Sequence, residues 1–319
     1  MRVAAIDCGT NTLRLFVAGL DADGSLREYD RRLTFVGLGQ GVDATGAFAP
    51  DAVQRAFTAC EQYSEIIADL DCQKARFVAT SATRDASNRE ELFDGVRSRL
   101  GIEPEVISGL EESRLSFRGA LSGIRCPRNP VLVMDSGGGS TELVRGTGEC
   151  DGSAARIECG MSLNIGSRRL RERILHGDPP TAEEIAEARA LVAEQLDNCG
   201  IELSDIGTFI GVAGTVTSMA ALSLGLFRYD RSRVHGAAIG RDKLREVADR
   251  LLSATVADVT SWGPVQPQRA EVLCAGALIV AEVVARVGTD AMVASESDIL
   301  DGIALGMLKD GDGKDLPQQ

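Results

Sequence analysis

Val3-Ala4-Ala5-Ile6-Asp7-Cys8-Gly9-Thr10-Asn11-Thr12-Leu13-Arg14-Leu15 opens the chain. Val131-Leu132-Val133-Met134-Asp135-Ser136-Gly137-Gly138-Gly139-Ser140-Thr141-Glu142-Leu143 is a second version of it. Laid on each other, Asp7 meets Asp135, Gly9 meets Gly137, Thr12 meets Ser140 and Leu15 meets Leu143. Each stretch is an apolar strand running into an Asp, then a turn of glycine and hydroxyl residues, then a second alternating strand. The pattern predicts two β-hairpins whose turns offer backbone N–H groups and small hydroxyls to phosphate oxygens. A duplicated hairpin predicts two lobes on one plan, facing a shared ligand.

Composition narrows the ligand and the chemistry. With 319 residues, 44% hydrophobic and 25% charged, the chain has the make-up of a soluble globular protein with room for two domains. It carries 34 basic against 47 acidic residues, a net charge of −13. Such a chain repels nucleic acid and acidic membranes, so a polyanionic ligand must be met by local donors or by a metal ion. Only two histidines are present, His176 and His235, which weakens any His-based mechanism or multi-His metal site. The eight cysteines include no C-x-x-C pair and lie mostly in apolar segments, so they read as small buried hydrophobes in a reducing compartment. Met1-Arg2-Val3 leads straight into a strand, so no signal peptide is expected. The charge-free stretch 206–227 is broken by Gly211, Gly214 and several hydroxyls into a strand and a helix instead of a membrane span. A cytoplasmic protein is expected.

Working outward from the hairpins, helical spacing covers Asp51 to Leu70, and Arg76 to Thr80 is a short buried strand. Asn88, with Glu91, caps a helix that Gly101 ends, and Glu105 to Ile107 is the next strand. Ser108-Gly109-Leu110-Glu111 is a capping box opening a helix to about Leu121. The proline-bearing stretch 123–130 is where the chain leaves the first lobe. The second lobe follows with a basic helix from Arg168 to Leu175 and a helix opened by Thr181 and Glu184. A strand from Thr208 to Val212 comes next, then helices near 241–253 and 267–287, and a last strand from Ala291 to Ala294. Domain I therefore spans 1–122, with the closing segment 297–319 packing back on it, and domain II spans 123–296. The tail from Asp310 is polar and expected to fray.

Each candidate site residue has a plainer alternative. The Asp135 to Glu142 turn could cradle an anion and hold a hard cation on its two carboxylates, or be a flexible hairpin with solvated carboxylates. Glu112, in the first turn of its helix, could deprotonate a water, or be a surface Glu paired with arginines. Arg84 could fork onto phosphate oxygens, or pair with Asp85 or a neighbouring lobe. The basic helix at Arg168, Arg169, Arg171 and Arg173 reads as a solvated face. Cys8 to Arg14 satisfies the C-x₅-R pattern of thiolate phosphatases, but a strand-like run follows it where that chemistry wants a helix. No G-x-x-x-x-G-K-[ST] motif occurs, and Gly37-Leu38-Gly39-Gln40-Gly41 lacks dinucleotide spacing.

Taken in order, several motifs resemble the exopolyphosphatase / guanosine-pentaphosphate phosphatase (Ppx/GppA) family. They are Asp7 to Thr12, Ala79 to Ala82 with Arg84 and Asn88, Ser108 to Arg114, Asp135 to Glu142, and Gly214-Thr215. The resemblance spans nearly the whole chain and is to the short, two-domain form. It implies an α/β fold of two actin-like lobes, of the ribonuclease H-like, sugar kinase, Hsp70 and actin superfold, with an interdomain cleft. It implies hydrolysis of the terminal phosphate of inorganic polyphosphate, with Glu112 as catalytic base. Asp135 and Glu142 would carry Mg²⁺, with Mn²⁺ as the other metal. Gly9, Thr10, Asn11, Thr12, Arg84, Gly137, Gly138, Gly139, Ser140, Gly214 and Thr215 would hold phosphates.

The alternatives left open are pppGpp or a nucleoside triphosphate at the same site, an ATP-binding kinase of this fold, and a non-catalytic polyphosphate sensor. No nucleic-acid or membrane partner is expected, and a homodimer is compatible. The motifs depart from the family at Leu110, Ser113, Cys8 and Leu300, the last lacking an arginine that many members carry. The two hairpins also differ: Arg14 stands where the second copy has Glu142, so the first reads as a pure anion cradle and the second as the metal carrier.

Overall fold

The first hairpin forms where its pattern places it. β1 (Val3–Cys8) is buried along its whole length and pairs antiparallel with β2 (Thr12–Leu20), with Asp7 opposite Arg14 and Cys8 opposite Leu13. β2 continues antiparallel to the more exposed β3 (Leu26–Phe35). On its other edge β1 is joined in parallel by β4 (Lys74–Ala79), which is joined in parallel by β5 (Pro104–Val106). The second hairpin repeats this plan. β6 (Val131–Ser136), also wholly buried, pairs antiparallel with β7 (Thr141–Thr147), and β7 with β8 (Arg156–Leu163). β6 is joined in parallel by β9 (Thr208–Val212), followed by β10 (Ala238–Gly240) and β11 (Ala291–Ala294), which pair antiparallel while β11 lies parallel to β9. Two mixed sheets therefore carry the chain with one shared five-strand order, β3-β2-β1-β4-β5 and β8-β7-β6-β9-β11, the repeated α/β plan that the resemblance implied.

This computed structural model describes residues 1–124, 128–148, 155–311 and 313–315. Cys126, Cys150 and the last tail residues, 316–319, lie outside the described residues. The chain divides into two compact units, Met1–Ser122 with Ile299–Gln319, and Gly123–Asp298.

In unit 1 the alternation along β1 separates two cores. Ala4, Ile6 and Cys8 face one, covered by the helices Pro50–Asp69 and Arg89–Leu100. Val3 and Ala5 face the other, where Leu115, Ile299, Leu300 and Ile303 pack. The second core explains the departure at Leu300: its side chain is buried there, and the neighbouring buried Asp301 is paired with Arg31 from β3 at 3.1 Å. Arg31 also lies 3.8 Å over the Phe16 ring.

The close approach of the Ile299–Leu305 helix rests on Gly302, where a Cβ would come 2.0 Å from the Leu115 carbonyl oxygen. Gly302→Ala is therefore expected to lower stability by about 1–3 kcal/mol, because backbone must move to admit the methyl. Thermal melting checks it, and an unchanged midpoint would contradict the packing.

Three local expectations are corrected. Asn88 does not cap its helix with its side chain; its amide pairs with both backbone groups of Phe48, accepting at 2.8 Å and donating at 3.2 Å. The Ser108 box is half present: Ser108 accepts from the Glu111 N–H at 3.2 Å, while the Glu111 carboxylate sits 3.8 Å from Arg76. The tail is not wholly frayed, since β12 (Lys314–Asp315) pairs antiparallel with β4.

By contrast, the Thr181–Glu184 box is complete in both directions. Cys8, Cys60, Cys199 and Cys274 are buried, Cys72 and Cys159 half-buried, and all six are free thiols. Among the described residues no helix is long and apolar enough to cross a membrane, and the stretch 206–227 supplies β9 and the helix Ala213–Ser223.

Candidate active site

Unit 1 gathers its candidate residues at the C-terminal ends of its parallel strands, where such sheets bind ligands. The turn after β1 is closed by the Gly9 N–H donating to Thr12 O at 3.0 Å. The parallel register sets Cys8 beside Ala79, and Ala79 beside Val106, so the segments following β4 and β5 emerge next to this turn.

Arg84, on the short helix Ser81–Asp85, reaches across to Glu112 on the helix Gly109–Gly123. Its Nη1 donates to Glu112 Oε2 at 2.7 Å and to Ile107 O at 3.0 Å. The candidate base and the candidate phosphate ligand thus touch each other. Glu112 is only 8% exposed, so it is neither a solvated surface carboxylate nor a partner left to chance. Of the alternatives for Arg84, pairing with an acid holds, but the acid is Glu112 instead of Asp85.

The rest of the turn corrects the reading of Arg14 and keeps that of Cys8. Arg14 is not directed at a ligand: its Nε and Nη2 both donate to Asp7 Oδ2, at 3.0 and 2.7 Å. Cys8 is buried in the core, and burial, followed by the negative charge of Asp7, pushes its thiol well above the usual range. β2, a strand, follows the turn. A thiolate nucleophile is therefore disfavoured on geometry and on ionisation alike. Cys8→Ala is expected to keep phosphate release within about twofold while costing about 1 kcal/mol of stability. Loss of turnover in a folded Cys8→Ala protein would revive the thiolate.

Unit 2 places the second turn identically. The Gly137 N–H donates to Ser140 O at 3.0 Å, the counterpart of the Gly9 bond. Asp135 and Glu142 are cross-strand partners on one face, 9% and 1% exposed. The hydroxyl of Ser162, opposite Glu142 on β8, donates to Glu142 Oε1 at 2.6 Å.

Two buried carboxylates set directly opposite repel unless a cation or proton sits with them. Among the described residues no cluster of three His, Cys, Asp or Glu forms a ready metal cage. Two carboxylates with the remaining positions left to water and phosphate oxygens is the donor set Mg²⁺ uses at phosphate sites, so the residues present fit it.

The parallel pairing of Asp135 with Val212 brings the turn after β9 alongside. There Ala213 adopts φ 72°, and Arg269 lies over Gly214, donating from Nη1 to Gly214 O at 2.7 Å and to Ser218 Oγ at 3.1 Å. A Cβ on Gly214 would sit 2.2 Å from the guanidinium carbon. The Thr215 side chain is turned inward against Gly276, so its hydroxyl faces the core.

Arg168 and Arg169, which the basic pattern reads as a solvated face, are buried. Their helix, Ser167–Arg173, abuts the glycine turn. No local signal marks this, because three-dimensional proximity to the turn, not helix periodicity, buries them.

Residues 21–310 match the family model described as the Ppx/GppA phosphatase family. The chain is 42% identical over 320 aligned residues to "Exopolyphosphatase 2" of Mycobacterium tuberculosis, covering 96% of this chain and 98% of that protein. Among solved structures, an exopolyphosphatase-like protein superposes with a TM-score of 0.91 at 43% identity, covering 97% and 98% of the two chains. The Aquifex aeolicus member of the Ppx/GppA family superposes with a TM-score of 0.82 at 28% identity, covering 98% and 99%.

Proposed function

The chain belongs to the Ppx/GppA phosphatase family, and we propose that it is an exopolyphosphatase, removing the terminal phosphate of inorganic polyphosphate by attack of water. The observation that carries a hydrolytic reading is Glu112, a buried carboxylate held by Arg84 at 2.7 Å. Polyphosphate as substrate is supported by the similarity to Exopolyphosphatase 2 of M. tuberculosis.

In this reading Glu112 accepts a proton from the attacking water as its oxygen bonds to the terminal phosphorus. The bridging P–O bond breaks, and the bridging oxygen leaves with the shortened chain. Arg84 fixes the orientation of the Glu112 carboxylate and offers its remaining N–H groups to a phosphate oxygen. Backbone N–H groups and hydroxyls of Gly9 to Thr12 and of Gly137 to Ser140, with the backbone at Gly214 and Thr215, hold the phosphates. Asp135 and Glu142 would hold Mg²⁺, or Mn²⁺, which when bound neutralises charge on the phosphate oxygens. Positioning and electrostatics of this kind are what phosphoryl transfer requires. Because the donors are local, they serve a polyanion despite the net charge of −13. We place the protein in the cytoplasm on the same reading.

Orthophosphate release from polyphosphate, pppGpp and ATP, compared at equal concentrations of chain ends, tests the assignment. Polyphosphate is expected to exceed the others in kcat/KM by about tenfold or more. Faster release from pppGpp would make the chain a guanosine-pentaphosphate phosphatase instead. Binding of polyphosphate without turnover would leave a sensor, and sugar-dependent ADP release would mark a kinase.

A further inference from the structure

One element of unit 2 holds three successive carbonyls of the glycine turn. Ser167 N donates to Gly137 O at 2.9 Å, Arg168 N and Arg169 N donate to Gly138 O at 2.9 and 3.2 Å, and Arg169 Nε donates to Gly139 O at 2.8 Å. Gly166, just before them, is so close that a Cβ would come 2.5 Å from the Gly138 carbonyl.

These peptides are trans, and in a trans peptide the C=O of one residue and the N–H of the next point to opposite sides. Fixing the carbonyls of Gly137, Gly138 and Gly139 on this element therefore turns the N–H groups of Gly138, Gly139 and Ser140 away from it together. Among the described residues the amides of Gly138 and Gly139 donate no hydrogen bond. Adjacent amides presented in this way form an anion-binding concavity.

Unit 1 contains the same device. Gly39 N donates to Thr10 O at 2.7 Å, and Val36 N and Gly37 N donate to Asn11 O at 3.0 and 2.9 Å. Thr10 and Asn11 are the counterparts of Gly138 and Gly139. In both units the bracing segment follows the third strand of its sheet, β3 or β8. The Gly37 to Gly41 run, a poor dinucleotide motif, is here a brace: a Cβ on Gly39 would fall 2.1 Å from Thr10 Cγ2. In unit 2 a buried guanidinium, that of Arg169, joins the backbone amides.

We propose that Arg169 is a positioning residue for the phosphate cradle of unit 2, which rests on the exopolyphosphatase reading for its substrate. Its charged hydrogen bond to Gly139 O fixes the Gly139–Ser140 peptide and polarises the Ser140 N–H at the far end of that peptide. Arg169 acts through the turn and not on the substrate itself. Arg168, beside it, pairs with Glu172 at 3.3 Å and with Glu271 at 3.7 Å.

The test is an orthophosphate titration of protein labelled with ¹⁵N-glycine and ¹⁵N-serine, followed at Gly138, Gly139 and Ser140. It is run for the wild type, Arg169→Lys, Arg169→Gln and Gly166→Ala, with thermal melting and polyphosphate kinetics alongside. In the wild type the three amides are expected to shift on saturation. In Arg169→Gln and Arg169→Lys the Gly139 and Ser140 shifts should collapse and kcat/KM should fall about tenfold or more, chiefly through KM. Arg169→Lys keeps the cation and its stem, so it should fold and still fail, which a merely structural arginine would not do. Gly166→Ala should displace the Gly138 carbonyl and weaken orthophosphate binding with Arg169 in place. Wild-type amides that do not move, or Lys and Gln variants that titrate like the wild type, would overturn the proposal. Should the wild type fail to hydrolyse polyphosphate, the exopolyphosphatase reading falls while the titration still decides the role of Arg169.

Discussion

Glu112→Gln is expected to lower orthophosphate release from polyphosphate by about 10²- to 10⁴-fold, the range a positioned general base supplies. The substitution preserves shape. The Gln carbonyl oxygen can still accept from Arg84 Nη1, which now lies 2.7 Å from the carboxylate. What disappears is the capacity to take a proton from water. Removing the charge from a buried pair costs about 1–3 kcal/mol of stability, which a domain of this size tolerates. Activity should therefore fall by that factor in a protein that still melts cooperatively. Glu112→Asp gives the complementary result: the carboxylate survives but retreats by one methylene, so kcat should fall while KM holds. A Glu112→Gln enzyme with an undiminished rate would remove Glu112 from the chemistry.

The second large effect is expected at the Asp135–Glu142 pair. Glu142→Gln should reduce polyphosphate hydrolysis by about 10²- to 10³-fold, the scale of losing one electrostatic stabiliser of the transferring phosphoryl group. Its response to Mg²⁺ separates a metal site from an ordinary polar pair. With Mg²⁺ at about a hundred times its Kd, the wild type should gain about 2.7 kcal/mol, and the variant should gain little of it. Ser162 can still donate to the Gln oxygen, so the hydrogen bond at 2.6 Å is not what changes. Equal Mg²⁺ stabilisation of the two proteins would place the metal elsewhere.

The hairpins were legible because their information is local. An apolar run, an Asp, a glycine turn and an alternating run specify two strands and their register without any distant partner. That register puts Asp135 opposite Glu142, so the paired carboxylates could be foreseen by position. The Arg84–Glu112 pair could not, because it depends on two parallel pairings, β1 with β4 and β4 with β5, that bring separate segments to one strand end. Arg14 misled for the opposite reason: its register partner Asp7 sits across the hairpin and takes its guanidinium. Asn88 and Arg169 show the same limit. A side chain that suits a cap or a solvated helix face bonds instead to backbone supplied by tertiary packing, Phe48 in one case and Gly139 in the other.

The most direct measurement is a single-turnover hydrolysis of polyphosphate in H₂¹⁸O with Mg²⁺ present, with ¹⁸O located in the products. Attack of water on the terminal phosphorus puts one solvent oxygen into each released orthophosphate and none into the shortened chain, and Glu112→Gln should form both products about 10²- to 10⁴-fold more slowly. Solvent oxygen at the new chain end, or orthophosphate released without it, would contradict terminal hydrolysis by an activated water.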